Sequence, residues 1–380
     1  MIYLDNSATS PLHPLIYTKL NALLSSPLGN PSSLHKLGIE SERIITAAKG
    51  QVSNLLNCDK DEIIFTSSGS EANNLAIFGA AVTSKRHGNH IITAATEHPS
   101  VIQAINKLEN DGFKVTYISP RQDMKIYAED IKNALTDKTI LISLMLCNNE
   151  TGCINDIPAI RKIVDRYKSN AKIHCDCVAA AGKINIDVSE LGADFVSISG
   201  HKIHALSGTG ALYIKKGTRI LPMIYGGGQQ KNLRSGTENI SGIFTLGLAC
   251  DLEKNYFREN NEKIKSLNVY LRDLIQNSIK NALFISPDDA AAHILNISFP
   301  KIPSEVLMRY LEQHDIYISA GAACSAKKGV SETLIAYGVN NQTAKSAVRI
   351  SFSHMNTTDE LDVFVSKLKE IINSFNTNSN

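Results

Sequence analysis

Residues 62–85 read EIIFTSSGSEANNLAIFGAAVTSK. An apolar, β-branched run predicts a strand, a small polar turn follows, and a helical pattern begins. The alternation recurs along the chain. HIITAA (90–95) precedes the helical PSVIQAINKLENDG (99–112), and TILISLMLCNNE (139–150) precedes IPAIRKIVDRYKS (157–169). Three further strand-like runs are KIHCD (172–176), DFVSIS (194–199) and GALYIKK (210–216). Buried apolar strands alternating with helices predict βαβ units and a largely parallel sheet, hence an α/β fold. Ligands of such sheets bind at the carboxyl ends of the strands. Ser67 to Ser70, Glu97, His98, Asn148, Asn149, Asp176 and Ser199 to Lys202 all fall there.

Beyond residue 217 the pattern changes. A glycine-rich stretch, YGGGQQKNLRSGTENISG (225–242), leads into one long helix predicted over about 240–280. Then come strand HILNISF, helix SEVLMRYLEQH, strand IYIS, a small-residue loop, helix SETLIAYG, strand AVRISF and a last helix. This reads as a smaller α+β unit. The expected division is a large domain over 15–255 and a small one built from 1–14 plus 256–380. The polar tail NTNSN (376–380) is expected to be disordered.

Composition narrows the function classes. The chain has 380 residues, 43% apolar and 20% charged, as in ordinary globular proteins. A net charge of +2 calls for no nucleic-acid partner. No 18-residue apolar run predicts a membrane span, and MIYLDNSATS lacks a basic, apolar leader. Seven cysteines without a C-x-x-C pair point to free thiols in a reducing cytoplasm. His174-Cys175-Asp176-Cys177 lacks zinc spacing, so no metal is expected.

Four features fit pyridoxal phosphate. Lys202, at the mouth of a strand, can carry a Schiff base. Asp176 can pair with the pyridinium nitrogen, or cap the next turn. The turn SSGSEANN, with Gly69 and Ser70, offers amides and a helix dipole to a phosphate, or is an ordinary cap with Ser70 as its cap residue. His98 can stack on the ring and handle protons. Asn149 can reach the ring's phenolic oxygen or shape a turn. Cys324, in YISAGAACSAKKG, suits a mobile nucleophile whose thiolate Lys327 and Lys328 would favour. Arg349, alone in an apolar strand, needs an anion, which a substrate carboxylate or a structural partner can supply.

Together these stretches resemble the cysteine desulfurases of the NifS/IscS type, in the aminotransferase class V superfamily. Nine motifs appear in family order: YLDNSATSPLHP, GNPSSLHKLG, EIIFTSSGSEANNLAI, IITAATEHPSV, NNETG, the Asp176 strand, S-x-H-K, GGGQQKNLRSGTEN and the cysteine loop. The resemblance implies fold type I of the pyridoxal-phosphate enzymes, with a seven-stranded sheet. It implies that Lys202 is the Schiff-base lysine and Asp176 the pyridinium partner, with His98 stacked on the ring. Gly69, Ser70, Ser199 and His201 would bind the phosphate. Thr237 would reach the phosphate of a neighbouring subunit, hence a homodimer. Asn149 and Arg349 would hold the ring oxygen and the substrate carboxylate. Cys324 would take sulfur from L-cysteine as a persulfide, release alanine, and pass the sulfur to an acceptor protein, an iron–sulfur scaffold or a tRNA or thiamine thiolation enzyme.

Two stretches depart from the family pattern. Ala179 stands where the family has a glutamine that bonds the ring's phenolic oxygen, a loss of about 1 kcal/mol. The turn after the lysine, His204-Ala205-Leu206-Ser207-Gly208, has lost its proline and lysine. With the sequence ending soon after its last predicted helix, the longer tail with which one subgroup docks the iron–sulfur scaffold is not expected. The alternatives are selenocysteine or cysteine-sulfinate chemistry, which asks less of Cys324, or a fold-retaining partner without turnover.

Overall fold

A computed structural model describes residues 1–320 and 330–377. Twelve strands occur among them. They are β1 (Ile2–Tyr3), β2 (Ile63–Thr66), β3 (His90–Ala94), β4 (Lys114–Ile118), β5 (Thr139–Met145), β6 (Lys172–Asp176), β7 (Phe195–Ser199), β8 (Gly210–Ile214), β9 (Leu283–Phe284), β10 (Ile294–Ser298), β11 (Ile316–Tyr317) and β12 (Ala347–Ser351). Seven form one sheet in the order β2-β8-β7-β6-β5-β3-β4. Neighbours from β7 to β4 pair in parallel, while β8 runs antiparallel to both β2 and β7.

Every residue of β2, β3, β5, β7 and β8 is buried. Their side chains sort alternately onto the two faces, as the pleat requires. Ile63, Phe65, Ile92, Ile142, Leu144, Val196 and Ile198 pack on one face, with helices Lys36–Leu56, Ile157–Arg166 and Ile240–Asn255. Ile64, Ile91, Leu141, Phe195 and Leu212 pack on the other, under Gly69–Ser84 and Pro99–Asn110. The result is the helix–sheet–helix sandwich of a doubly wound α/β fold.

A second core lies elsewhere. β12, β10 and β9 make a three-stranded antiparallel sheet. Leu295, Ile297, Val348 and Ile350 of that sheet pack with Ile264, Leu271, Leu307, Phe364 and Leu368. Residues 1–6 join this core, because β1 pairs in parallel with β11 and Leu4 is buried in it.

Two expectations change. The helix predicted over 240–280 is two helices, Ile240–Asn255 and Phe257–Ser278. The break is Tyr256, with φ −107° and ψ 14°. The first helix buries Leu246 and Cys250 under the large sheet, and the second buries Ile264 and Leu271 in the small core, so the bend serves two cores. The last helix, Thr358–Thr377, also extends into the first two residues of the polar tail; residues 378–380 lie outside the described residues. Among the described residues no helix is long and apolar enough to cross a membrane.

One glycine joins the sheet to the turn after β2. A Cβ on Gly210 would lie 2.7 Å from the carbonyl carbon of Ser68 and 2.8 Å from the Ile198 oxygen, both backbone atoms. Gly210→Ala is therefore expected to destabilise the chain by about 1–3 kcal/mol, the range for overpacking a tight site. Urea unfolding of the two proteins checks this, and an unchanged midpoint would refute it.

Candidate active site

The carboxyl ends of five strands of the large sheet surround one cavity of about 270 Å³. Ser68, Gly69 and Ser70 follow β2, and His98 follows β3. Asn149 follows β5, Asp176 ends β6, and Ser199, His201 and Lys202 close β7. Arg349 enters from β12 of the small core. Of the residues singled out from sequence, all of these share the cavity. Thr237 does not line it and is exposed. Its segment is nonetheless tied to the turn after β2, because Arg234 Nε donates to Glu71 Oε1 at 2.9 Å. Cys324, Lys327 and Lys328 lie outside the described residues.

Lys202 sits in a one-turn 3₁₀ segment, Gly200–Lys202. Its Nζ donates to the backbone oxygens of Ser7 and Ala8, the latter at 2.8 Å. Ser10 pins that N-terminal segment to the lysine turn. Its Oγ donates to the His201 oxygen at 2.8 Å and accepts from the His204 N–H at 2.7 Å.

Asp176 is 4% exposed. Its Oδ2 accepts from Asn73 Nδ2 at 2.7 Å, and its Oδ1 from the Val178 N–H at 2.9 Å. The carboxylate thus caps its own turn and still faces the cavity, so the two readings of this aspartate are compatible. Asn73 also donates to Ser100 Oγ at 2.9 Å, and Ser100 Oγ lies 2.8 Å from His98 Nδ1. A polar chain runs from the carboxylate to the histidine.

His98 caps helix Pro99–Asn110, and its Nδ1 accepts from the Ser100 N–H at 3.1 Å. Burial lowers its pKa below the ordinary value and the Lys202 cation adds to this, against the pull of Asp176. His201 is pushed down to about 4 by burial, then by Lys202 and His98. Both rings are therefore neutral near pH 7. Glu97 Oε1 accepts from the Met145 N–H at 2.8 Å, and burial raises its carboxyl pKa well above the usual range.

Arg349 is 1% exposed and has its anion within the chain. Its guanidinium donates to Asp5 Oδ1 at 2.9 Å and to the Asn149 oxygen at 2.8 Å. Nε has no partner. The arginine is both a structural ion pair and a wall of the cavity.

The cavity fits pyridoxal phosphate. At the start of helix Gly69–Ser84 the cap is Ser68, whose side chain accepts from the Glu71 N–H, and not Ser70 as the capping alternative had it. Gly69 and Ser70 are left in the first turn, where amide donors face an anion. A Cβ on Gly69 would meet Val178 Cγ2 at 2.5 Å, so only glycine fits beside that wall. A lysine amine, a buried carboxylate and a neutral imidazole complete the donor set.

The aminotransferase class-V family model matches residues 2–364. The chain belongs to that family. Pyridoxal phosphate is the cofactor of aminotransferase class-V enzymes, and the residues lining this cavity fit it. Relatives agree over nearly the whole length. A protein of Clostridium botulinum named cysteine desulfurase IscS is 38% identical over 98% of this chain and 94% of its own. A NifS/IscS-type homolog of Lactobacillus delbrueckii subsp. bulgaricus is 40% identical over 99% and 98%. A solved NifS-like protein superimposes with a TM-score of 0.92 at 32% identity, covering 98% of this chain and 99% of that one.

Asn73, Ser100 and the Ser7 and Ala8 carbonyls were not singled out from sequence. Asn73 falls one helical turn after Gly69, on the buried side, and that spacing was the available signal. Asn73→Ala removes a hydrogen bond to a charged group, about 1.5–3 kcal/mol. Cofactor binding is expected to weaken by about ten- to a hundredfold, read by titrating the apoprotein with pyridoxal phosphate. Wild-type affinity would refute the coupling.

Proposed function

We propose that this chain is an L-cysteine desulfurase that moves the substrate's sulfur onto Cys324. L-cysteine and the Cys324 thiol become L-alanine and a Cys324 persulfide, with no other oxidant or reductant needed. The observation that carries this reading is the convergence of Lys202, Asp176, His98 and Arg349 on one cavity. The relatives named cysteine desulfurase support it.

The residues take these parts. Bound pyridoxal phosphate supplies an electron sink for the substrate's Cα. Lys202 holds the cofactor and moves the proton at Cα. Asp176, fixed by Asn73 and Val178, holds positive charge at the ring nitrogen. His98 packs on the ring as a neutral imidazole. Gly69, Ser70, Ser199 and His201 hold the phosphate. Arg349 and Asn149 receive the substrate carboxylate, which competes with Asp5 for the guanidinium. The segment bearing Cys324 is bracketed by described residues that meet this site. Ser319 pairs with Arg349 through two backbone hydrogen bonds, 2.7 and 3.1 Å, and Ser331 Oγ donates to Glu150 at 2.5 Å.

The persulfide passes to an acceptor protein for iron–sulfur cluster assembly or for tRNA or thiamine thiolation. We place this in the cytoplasm, where thiols stay reduced. The working unit is a homodimer in which the exposed Thr237 serves the partner's phosphate, and each subunit divides into a large domain (15–255) and a small one (1–14 plus 256–380).

Purified protein with pyridoxal phosphate and L-cysteine is expected to form alanine. Cys324→Ala should form none while retaining the cofactor's visible absorbance, and Lys202→Ala should lose both. Alanine from Cys324→Ala would overturn the persulfide reading. Thr237→Ala is expected to weaken cofactor binding although the residue lies outside its own chain's cavity; unchanged affinity in a confirmed dimer would remove it from the site.

A further inference from the structure

A second cavity, also about 270 Å³, shares no lining residue with the first. It is lined by His13, His204, Glu253, Tyr256, Asn260 and His354, among others. Among the described residues, three lining side chains carry a buried polar atom without a hydrogen-bond partner: His204 Nε2, Glu253 Oε2 and His354 Nδ1. One ligand atom from each residue lies within 4.8 Å of the other two. We propose that His204, Glu253 and His354 bind a divalent transition-metal ion of the zinc class, with the open cavity side left for water.

The chemistry of each donor matches. His204 Nδ1 lies 2.8 Å from the Pro11 carbonyl oxygen, which can only accept. The ring proton is therefore on Nδ1, and the lone pair on Nε2 faces the cluster. A ligating histidine whose other nitrogen donates to a carbonyl is the usual outer-shell arrangement. Burial pushes this imidazole's pKa down to about 3, so it stays neutral and free to ligate near pH 7. Its backbone is held in place. The residue sits at φ +66°, with its N–H on Ser10 Oγ and its oxygen accepting from the His13 N–H at 3.1 Å.

Glu253 is 3% exposed, on helix Ile240–Asn255. Its Oε1 accepts from Lys183 Nζ at 3.0 Å, so Oε2 is the oxygen left for an ion. Lys183 is the unfavourable neighbour, a cation on the same carboxylate. The two oxygens serve the two cations separately. His354, three residues past β12, is half-buried, with its ring centroid 5.3 Å from that of His204. The His13 ring lies 6.1 Å from that of His354, centroid to centroid. Two imidazoles, one carboxylate and a water make a zinc-type tetrahedral set. Ligands around such an ion sit about 3.4 Å apart, so the three side chains would draw in slightly. An unpaired buried carboxylate oxygen beside two unpaired imidazole nitrogens is otherwise costly, and an ion answers all three.

The ion would join three parts of the fold: the turn after Lys202, the helix under the large sheet, and the chain that leaves the Arg349 strand.

Chelator-treated holoenzyme should be titrated with Co²⁺, followed by visible spectroscopy, with Zn²⁺ as competitor. One ion per chain is expected, with nitrogen–oxygen bands and no thiolate charge transfer, displaced by Zn²⁺. His354→Asn and Glu253→Gln should each weaken uptake by at least about tenfold, while the exposed His87→Gln should not. No saturable uptake, a thiolate band, or undiminished uptake in folded His354→Asn would overturn the site. Anomalous scattering from zinc-soaked wild-type crystals decides without any variant: density between His204 Nε2 and His354 Nδ1 supports the site, and its absence removes it.

Discussion

The parallel register of β5, β6 and β7 is the constraint on which the site rests. Met145 lies opposite Asp176, and Asp176 opposite Ser197, so the three strands end at nearly one level. Asp176 ends β6, and Asn149 and Lys202 are delivered by the few residues that follow β5 and β7. A slip of one residue in β6 would turn Asp176 to the other face of the sheet, where Ile92, Ile142 and Val196 pack. That is why the strands carry no polar residue that is left unpaired at their centres. His174, on β6, is buried between Ser143 Oγ and Ser197 Oγ at 2.8 and 3.0 Å. Its burial, with the pKa pushed down to about 4, keeps it neutral and structural.

Charge is handled differently at the rim. Asp176 is stabilised by an amide side chain and a backbone N–H, Arg349 by Asp5, and Lys202 by two carbonyls. Glu97 has a single backbone donor, and burial raises its carboxyl pKa well above the usual range. In a poorly solvated cavity a charge is stabilised by charge-assisted partners, and burial disfavours it most where such partners are few. The polar chain Asp176–Asn73–Ser100–His98 fixes the orientation of the imidazole before any ligand arrives.

Much of this was legible in the sequence. The runs of β2, β3, β5, β6, β7 and β8 stand out because strands buried on both faces are rich in apolar residues, and the polar residues inside them, such as His174, Ser143 and Ser197, bond one another. The strand β4 was not. As an edge strand it is only half-buried, and KVTYI is a short, mixed run. The helix Lys36–Leu56 was hidden by its polar composition, and the break at Tyr256 by the absence of any glycine or proline there. The polar partners were legible only in part. Lys202 and Asp176 stand out at strand ends, whereas Asn73 is one of two adjacent asparagines in an ordinary helix.

The histidine cluster marks the limit of reading along the chain. His13, His204, Glu253 and His354 come from four separate segments, with no spacing that recurs in known metal motifs. They meet because the N-terminal segment crosses the lysine turn on its way from β1 to the first long helix. The Ser10 hydroxyl locks that crossing, and the same crossing sets the Ser7 and Ala8 carbonyls over Lys202. One short stretch of irregular chain therefore shapes the lysine's surroundings on one side and the His204 ring on the other. Sequence motifs describe its residues; only the crossing explains why both cavities depend on them.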